Sequence, residues 1–348
     1  MKLTRRAFNL GMAATAMGAA VARPASAEAV TIVVNGSGGS LAEAIKKFFE
    51  DPFTEATGIK VRATAPVSLP KLKAMVESGN VEWDLTELTG DDVVTAEENG
   101  WLEKLDYSII DPKGELPAIA KEPSAIVRAS YSTVLAFRTD RFPEGKQPKS
   151  WADFWDVENF PGPRSLQNDP KANLEFALLA DGVPLDKLYP LDVDRAFKKL
   201  DEIKEHIPVW WTNGAQHVQL LVDGEVNMTS CWNGRITPLK NENKPVDITF
   251  NGGALMLSYL GIPKGAKHPK EAMEFIRFRM DPKASAEFVK LVPYPGFVPG
   301  MMDYLDPAFA ATLPTAPDNA AVQYRFDSAW WAENLAELTT RWNEWMLL

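Results

Sequence analysis

The chain has 348 residues, a formal net charge of −10 and a single cysteine, Cys231. An acidic balance of that size excludes nucleic acid and anionic membrane surfaces as partners, and one cysteine excludes an internal disulfide, leaving stability to packing alone. The length sits near the ceiling for one hydrophobic core, so two lobes are expected.

The first residues read as an address. Thr4-Arg5-Arg6-Ala7-Phe8 carries a twin arginine, residues 10–22 form an apolar run rich in Ala, Gly and Met, and Ala25-Ser26-Ala27 is a small-residue cleavage site. Residues 1–27 are therefore predicted to be a cleaved twin-arginine export signal. The run is too short to span a bilayer, no later run approaches the required length of about 18 residues, and no Cys at the cleavage site marks a lipid anchor. Removing 27 residues, four of them basic and none acidic, leaves 321 with a net charge of −14. The mature protein is expected to be soluble, periplasmic and monomeric.

Residues 30–34 read as a buried strand that runs into Asn35-Gly36-Ser37-Gly38-Gly39-Ser40. A helix follows, with Leu41, Ile45, Phe48 and Phe49 at helical spacing and Ser40 and Glu43 as a predicted capping box. A strand, a glycine loop and a helix start make an anion site of backbone N–H groups, which assigns Ser37, Gly38, Gly39 and Ser40 to ligand binding. Neither nucleotide motif fits, because the loop lacks a Gly-Lys-Ser/Thr ending and GxGxxG spacing. A strand over 59–64, a helix over 69–77, a strand over 83–88 and a helix opened by Gly90-Asp91-Asp92 continue the rhythm. That alternation predicts an open, mostly parallel sheet with ligands at the carboxyl ends of its strands, where Asp91 falls.

A long strand over 130–137 precedes a change in composition: a Pro-rich loop, a short helix from Ser150, and a strand from Arg164 that ends near Asp169. Helices are predicted over 172–180, 192–205 and 215–222, a strand over 226–230, a long strand over 253–263 and a helix over 269–280. A final helix over 329–348 carries Trp331, Leu335, Leu338, Trp342 and Trp345 at core spacing. The strand over 226–230 meets Trp232-Asn233-Gly234-Arg235, an Asn-Gly turn signal flanked by an aromatic face and a permanent cation. Arg grips a carboxylate with two parallel charge-assisted bonds, and an indole gives contact area at little entropy cost.

Chemistry beyond binding finds little support. His206, His217 and His268 form no pair at metal-ligand spacing, no Cys cluster exists, and no Gly-x-Ser-x-Gly elbow occurs. No enzyme activity, cofactor or metal is expected.

Six phrases, in this order behind an export signal, resemble the periplasmic solute-binding proteins of ABC importers, specifically the spermidine/putrescine-binding type. They are Phe53-Thr54-Glu55-Ala56-Thr57-Gly58-Ile59-Lys60-Val61, Ser150-Trp151-Ala152-Asp153-Phe154-Trp155, Gly224-Glu225-Val226-Asn227, Trp232-Asn233-Gly234, Leu260-Gly261-Ile262-Pro263 and Tyr294-Pro295. The resemblance implies a type II-like periplasmic-binding-protein fold with two α/β lobes closing like a hinge on a small ligand, and delivery to permease subunits in the inner membrane. It implies crossings near 133–137, near 256–260 and near Val298, with 28–134 plus 259–298 as the first lobe and 135–258 plus 299–348 as the second.

By the same resemblance, Trp232, Asp169 and Tyr294 match ligand-contacting positions. Asp91 stands where the family has a Tyr, and Met256-Leu257-Ser258 stands where it has Trp-x-Asp, placing Met256 and Ser258 at the ligand. A lost acid, a glycine loop and Arg235 suit a ligand carboxylate better than a second ammonium. The expectation is a small organic acid or amino acid, such as an ω-amino acid, with a polyamine as the alternative.

Overall fold

The computed structural model describes residues 29–348; the predicted export signal over 1–27 lies outside them. β1 (Thr31–Asn35) is buried along most of its length and leads through the glycine loop into α1 (Gly39–Ile45), a π-helical turn (Lys46–Glu50) and α2 (Asp51–Thr57), which ends at left-handed Gly58. The predicted cap position, Ser40, falls inside the helix and not at its N-cap. The helix begins at Gly39 with Gly38 as its N-cap and no side-chain cap, because the positive φ angles of Gly38 and Gly39 (73° and 62°) let the backbone turn a residue early.

β2 (Lys60–Thr64) pairs in parallel with one edge of β1, and β3 (Leu85–Thr89) with the other. Between them, α3 (Leu69–Ser78) starts on the Ser68 hydroxyl. After β3, Thr89 and Asp92 form a reciprocal capping box that opens α4 (Gly90–Glu98), and a short α5 (Tyr107–Ile110) follows. β4 (Ala125–Arg138) then runs for 14 residues.

The second half repeats the rhythm with α6 (Trp151–Trp155), β5 (Arg164–Gln167), α7 (Asn173–Ala180), α8 (Val193–Lys204), β6 (Val209–Trp211), α9 (Gln216–Val222), β7 (Met228–Trp232) and α10 (Asn233–Asn241). β8 (Val246–Gly261) returns across the molecule for 16 residues. The chain closes with α11 (Pro269–Phe278), α12 (Pro282–Leu291), α13 (Pro307–Ala310), α14 (Pro317–Ala321), β9 (Tyr324–Arg325) and α15 (Ser328–Leu347).

The strands form one sheet in the order β2-β1-β3-β8-β4-β7-β5-β6, with β9 beside β8. β1, β2 and β3 are mutually parallel, as are β5, β6 and β7. β4 and β8 are antiparallel to each other and to their outer neighbours. The two long strands therefore belong to both lobes, and the carboxyl ends of both parallel sets meet over their middle: Thr89 lies opposite Ser258, and Trp232 opposite Thr133.

One core holds Ile32, Phe53, Leu72, Leu85, Phe275 and their neighbours; another holds Trp151, Phe176, Leu200, Trp331 and Trp342. A smaller cluster around Trp211, Leu221, Cys231 and Ile236 packs on the second lobe. The boundary expected at residue 298 falls early, since Met301, Leu305 and Leu313 are buried with the first core and Tyr324 with the second. The third crossing therefore lies between residues 313 and 324.

Candidate ligand-binding site

The expected Asn-Gly turn is absent, because Asn233 and Gly234 open α10 directly from the end of β7. The buried Asn233 side chain accepts from Ser132 N–H (2.9 Å) on β4 and donates to Pro293 O (3.3 Å). Gly234 has no room for a side chain, since a Cβ there would stand 2.4 Å from the Tyr294 ring. These two residues pin Trp232 at the strand end and place Arg235 in the first turn of the helix. The Trp232 ring and Arg235 Nε both close on Gly214, whose Cβ would come within 2.6 Å and 3.4 Å of them.

Three of the cavities among the described residues bear on the expected ligand site. The first, about 150 Å³, holds Asp91, Asp169, Lys171, Trp232, Tyr131 and Met256 on its walls. Asp91 comes from α4 and Asp169 from the end of β5, so both lobes contribute. Lys171 reaches across, its Nζ 3.1 Å from Asp91 Oδ2, with the Asp91 side chain only 3% exposed and that of Lys171 23%. Burial opposes the charge on Lys171, but Asp91 and Asp169 outweigh it and hold the ammonium well above the usual lysine range. Asp169 accepts the Lys171 backbone N–H at 2.9 Å. Burial raises its carboxyl above the ordinary value while Lys171 pulls it back.

Arg235 and Tyr294 stand on the wall of a second, wider opening of about 480 Å³, facing Leu41, Glu43 and Lys47 on the first lobe's α1 and the turn that follows. Tyr131 of the first cavity meets Tyr294 of the second edge-on, with ring centroids 5.9 Å apart. Burial pushes the Tyr131 hydroxyl up to about 12. Trp232, Tyr131 and Tyr294 thus form an aromatic wall with two acids and an ammonium at one end and a guanidinium at the other.

The third cavity, about 160 Å³, contains Ser37 and Gly38, and it corrects the expected anion site. The loop's anion is the protein's own Glu87: Ser37 N–H and Oγ–H donate to Oε2 at 3.0 and 2.6 Å. Glu87 also sits 3.1 Å from Arg128 Nε, and Arg128 Nη2 donates to Ser258 Oγ at 3.1 Å. Ser37 and Ser258 are thereby joined through an internal Glu–Arg pair. Gly39 and Ser40 open α1, and Gly39 lines none of these cavities.

Sequence reasoning passed over Lys171 and Tyr131, which line the first cavity, and Glu87, which fills the loop. Lys171 stands two residues beyond Asp169 and Tyr131 lies inside a predicted strand. Glu87 is one polar residue near the end of a strand, and only its hydrogen bonds from Ser37 show that it faces the loop.

A cleft between two α/β lobes, walled by fixed aromatics and charges over shared strands, defines a receptor for a small solute. A family model for bacterial extracellular solute-binding proteins matches residues 50–318, and the chain belongs to that family. The gamma-aminobutyric acid-binding protein of Pseudomonas aeruginosa is 34% identical, covering 94% of each chain. A substrate-binding protein of an ABC transporter from Bradyrhizobium japonicum superposes with a TM-score of 0.85 at 41% identity, over 91% of this chain and 99% of that one. A solved GABA receptor gives 0.83 at 37%, over 90% and 97%. A spermidine/putrescine-binding periplasmic protein of Haemophilus influenzae is 27% identical over 70% of each chain. The protein is a periplasmic solute-binding component of an ABC importer and not an enzyme; it binds a small molecule and delivers it to the permease. Among the described residues, no helix is long and apolar enough to cross a membrane.

Proposed function

We propose that the solute carries a carboxylate and one ammonium group, as an ω-amino acid does. The observation that carries this reading is the separation of charge along the aromatic wall, with Asp91 and Asp169 at one end and Arg235 beside Trp232 at the other. Trp232 and Tyr131 flank the ligand's chain, Arg235 takes the carboxylate, and the acid end takes the ammonium. A dication would set one of its charges against Arg235. The names of the Pseudomonas aeruginosa relative and of the GABA receptor support the reading; the polyamine alternative rests on the more distant Haemophilus influenzae relative.

The test is a thermal-shift panel at fixed pH and salt with 4-aminobutyrate, dicarboxylates, putrescine and spermidine. Ligand at 100 times its Kd stabilises the folded state by about 2.7 kcal/mol. The expected result is a shift with 4-aminobutyrate that Arg235→Ala removes. A shift with polyamines alone would overturn the reading.

A further inference from the structure

Two carboxylates, Asp91 and Asp169, and one ammonium, Lys171, are the charged side chains on the walls of the first cavity. Lys171 is fixed at its base. Asp169 holds its backbone N–H, and Asn173 Nδ2 clamps the same turn by donating to Gln167 O at 2.7 Å and Asp169 O at 2.8 Å. From that turn the side chain crosses to Asp91 on the other lobe. The adjacent Asp92 is engaged in the Thr89 capping box and does not line the cavity. A closed cleft therefore contains one ammonium supplied by the protein, opposite two acids, and has one negative charge left to match.

We infer that Lys171 sets how many ammonium groups the ligand carries: its side chain holds one of the two acid positions, so a one-ammonium solute is accepted and a diamine is refused. The inference rests on the ω-amino acid reading and names the residue that enforces it. A diamine entering this cleft must displace Lys171 and leave its ammonium unpaired in a largely buried site, or place its own second ammonium without a carboxylate. Either arrangement strands a charge. Because Lys171 and Asp91 sit on different lobes, the barrier is complete only once the cleft has closed.

Putrescine and 4-aminobutyrate share a four-carbon spacing and differ at one end, so they make a matched pair for calorimetric titration of the mature protein. Lys171→Met keeps the chain length and removes the charge; Lys171→Arg keeps the charge; Lys171→Gln serves if the Met variant fails to fold. The expected result is a gain in putrescine affinity of about tenfold or more in the Met variant, none in the Arg variant, and a smaller change for 4-aminobutyrate.

The inference is overturned if putrescine affinity in the folded Met or Gln variant stays within about twofold of wild type, including the case where it binds neither protein. If the wild type already prefers putrescine, the ω-amino acid reading fails. A further gain in the Met variant would even then uphold the role of Lys171.

Discussion

Glu175 on α7 is fully buried, and its Oε1 accepts from Trp331 Nε1 at 2.7 Å and from the Tyr189 hydroxyl. Oε2 has no hydrogen-bond partner, and the nearby Tyr324 hydroxyl has none either. Burial lifts the carboxyl from 4.5 to about 7, against the pull of the two donors. A folded value above the unfolded one means that the folded state holds the proton more tightly. The stabilisation is complete below pH 4.5 and is lost as the pH rises through 7. With about 1.4 kcal/mol per tenfold difference in proton affinity, the loss between pH 5 and pH 8 amounts to about 2 to 3 kcal/mol.

Glu175→Gln keeps an acceptor for Trp331 and Tyr189 and removes the titration. Urea unfolding of both proteins at pH 5, 6, 7 and 8, followed by tryptophan fluorescence, should show the difference moving by that amount in favour of the variant as the pH rises. Parallel curves, or a difference that moves the other way, would refute the assignment of a protonated Glu175 to the folded state.

His217 has the opposite slope. Burial, helped by Arg235, depresses it to about 3, and neither ring nitrogen has a hydrogen-bond partner. Its contribution is present above pH 6.5 and fades as the pH falls toward 3, so His217→Gln should flatten acid unfolding measured by circular dichroism between those values. Trp232→Ala should weaken 4-aminobutyrate binding about tenfold in calorimetry, the order of a lost aromatic face and cation contact; an unchanged Kd would remove Trp232 from the site. A Cβ on Gly90 would meet Ser328 Oγ at 2.0 Å and its Cβ at 2.9 Å, at the joint between α4 and α15. Gly90→Val should therefore wedge the lobes apart, lowering ligand affinity about tenfold or more with far-ultraviolet dichroism preserved. Burial raises the Cys231 thiol well above its ordinary range, so Ellman's reagent should react only as fast as the protein unfolds.

The architecture was legible in the sequence because each half advertises itself locally. The helix starts read at residue 69, at Gly90-Asp91-Asp92 and at Ser150 are kept in the structure, and the strands over 130–137 and 253–263 were visibly too long for one lobe. The chemistry of the site was less legible because it depends on which side chains meet across the sheet. Glu87 and Ser37 are 50 residues apart, and Lys171 and Asp91 are 80 apart. Without those pairings the glycine loop reads as an open anion seat and Asp91 as an uncompensated acid. The Asn-Gly pair misled for a related reason: Asn and Gly are common in turns, but here the Asn side chain ties down β4 and the Gly makes room for Tyr294.

The two long strands also fix an order of assembly. β3 has no partner on its outer edge until residues 258–261 arrive, and the second core stays open until Trp331, Trp342 and Trp345 are in place. A ribosome releasing this chain therefore presents the first lobe complete only after residue 313 and the second only once α15 has emerged. Folding must be largely post-translational, limited by contacts distant in sequence, and a nonsense codon that removes only the final 20 residues would leave a polypeptide with an open apolar face that quality control would destroy.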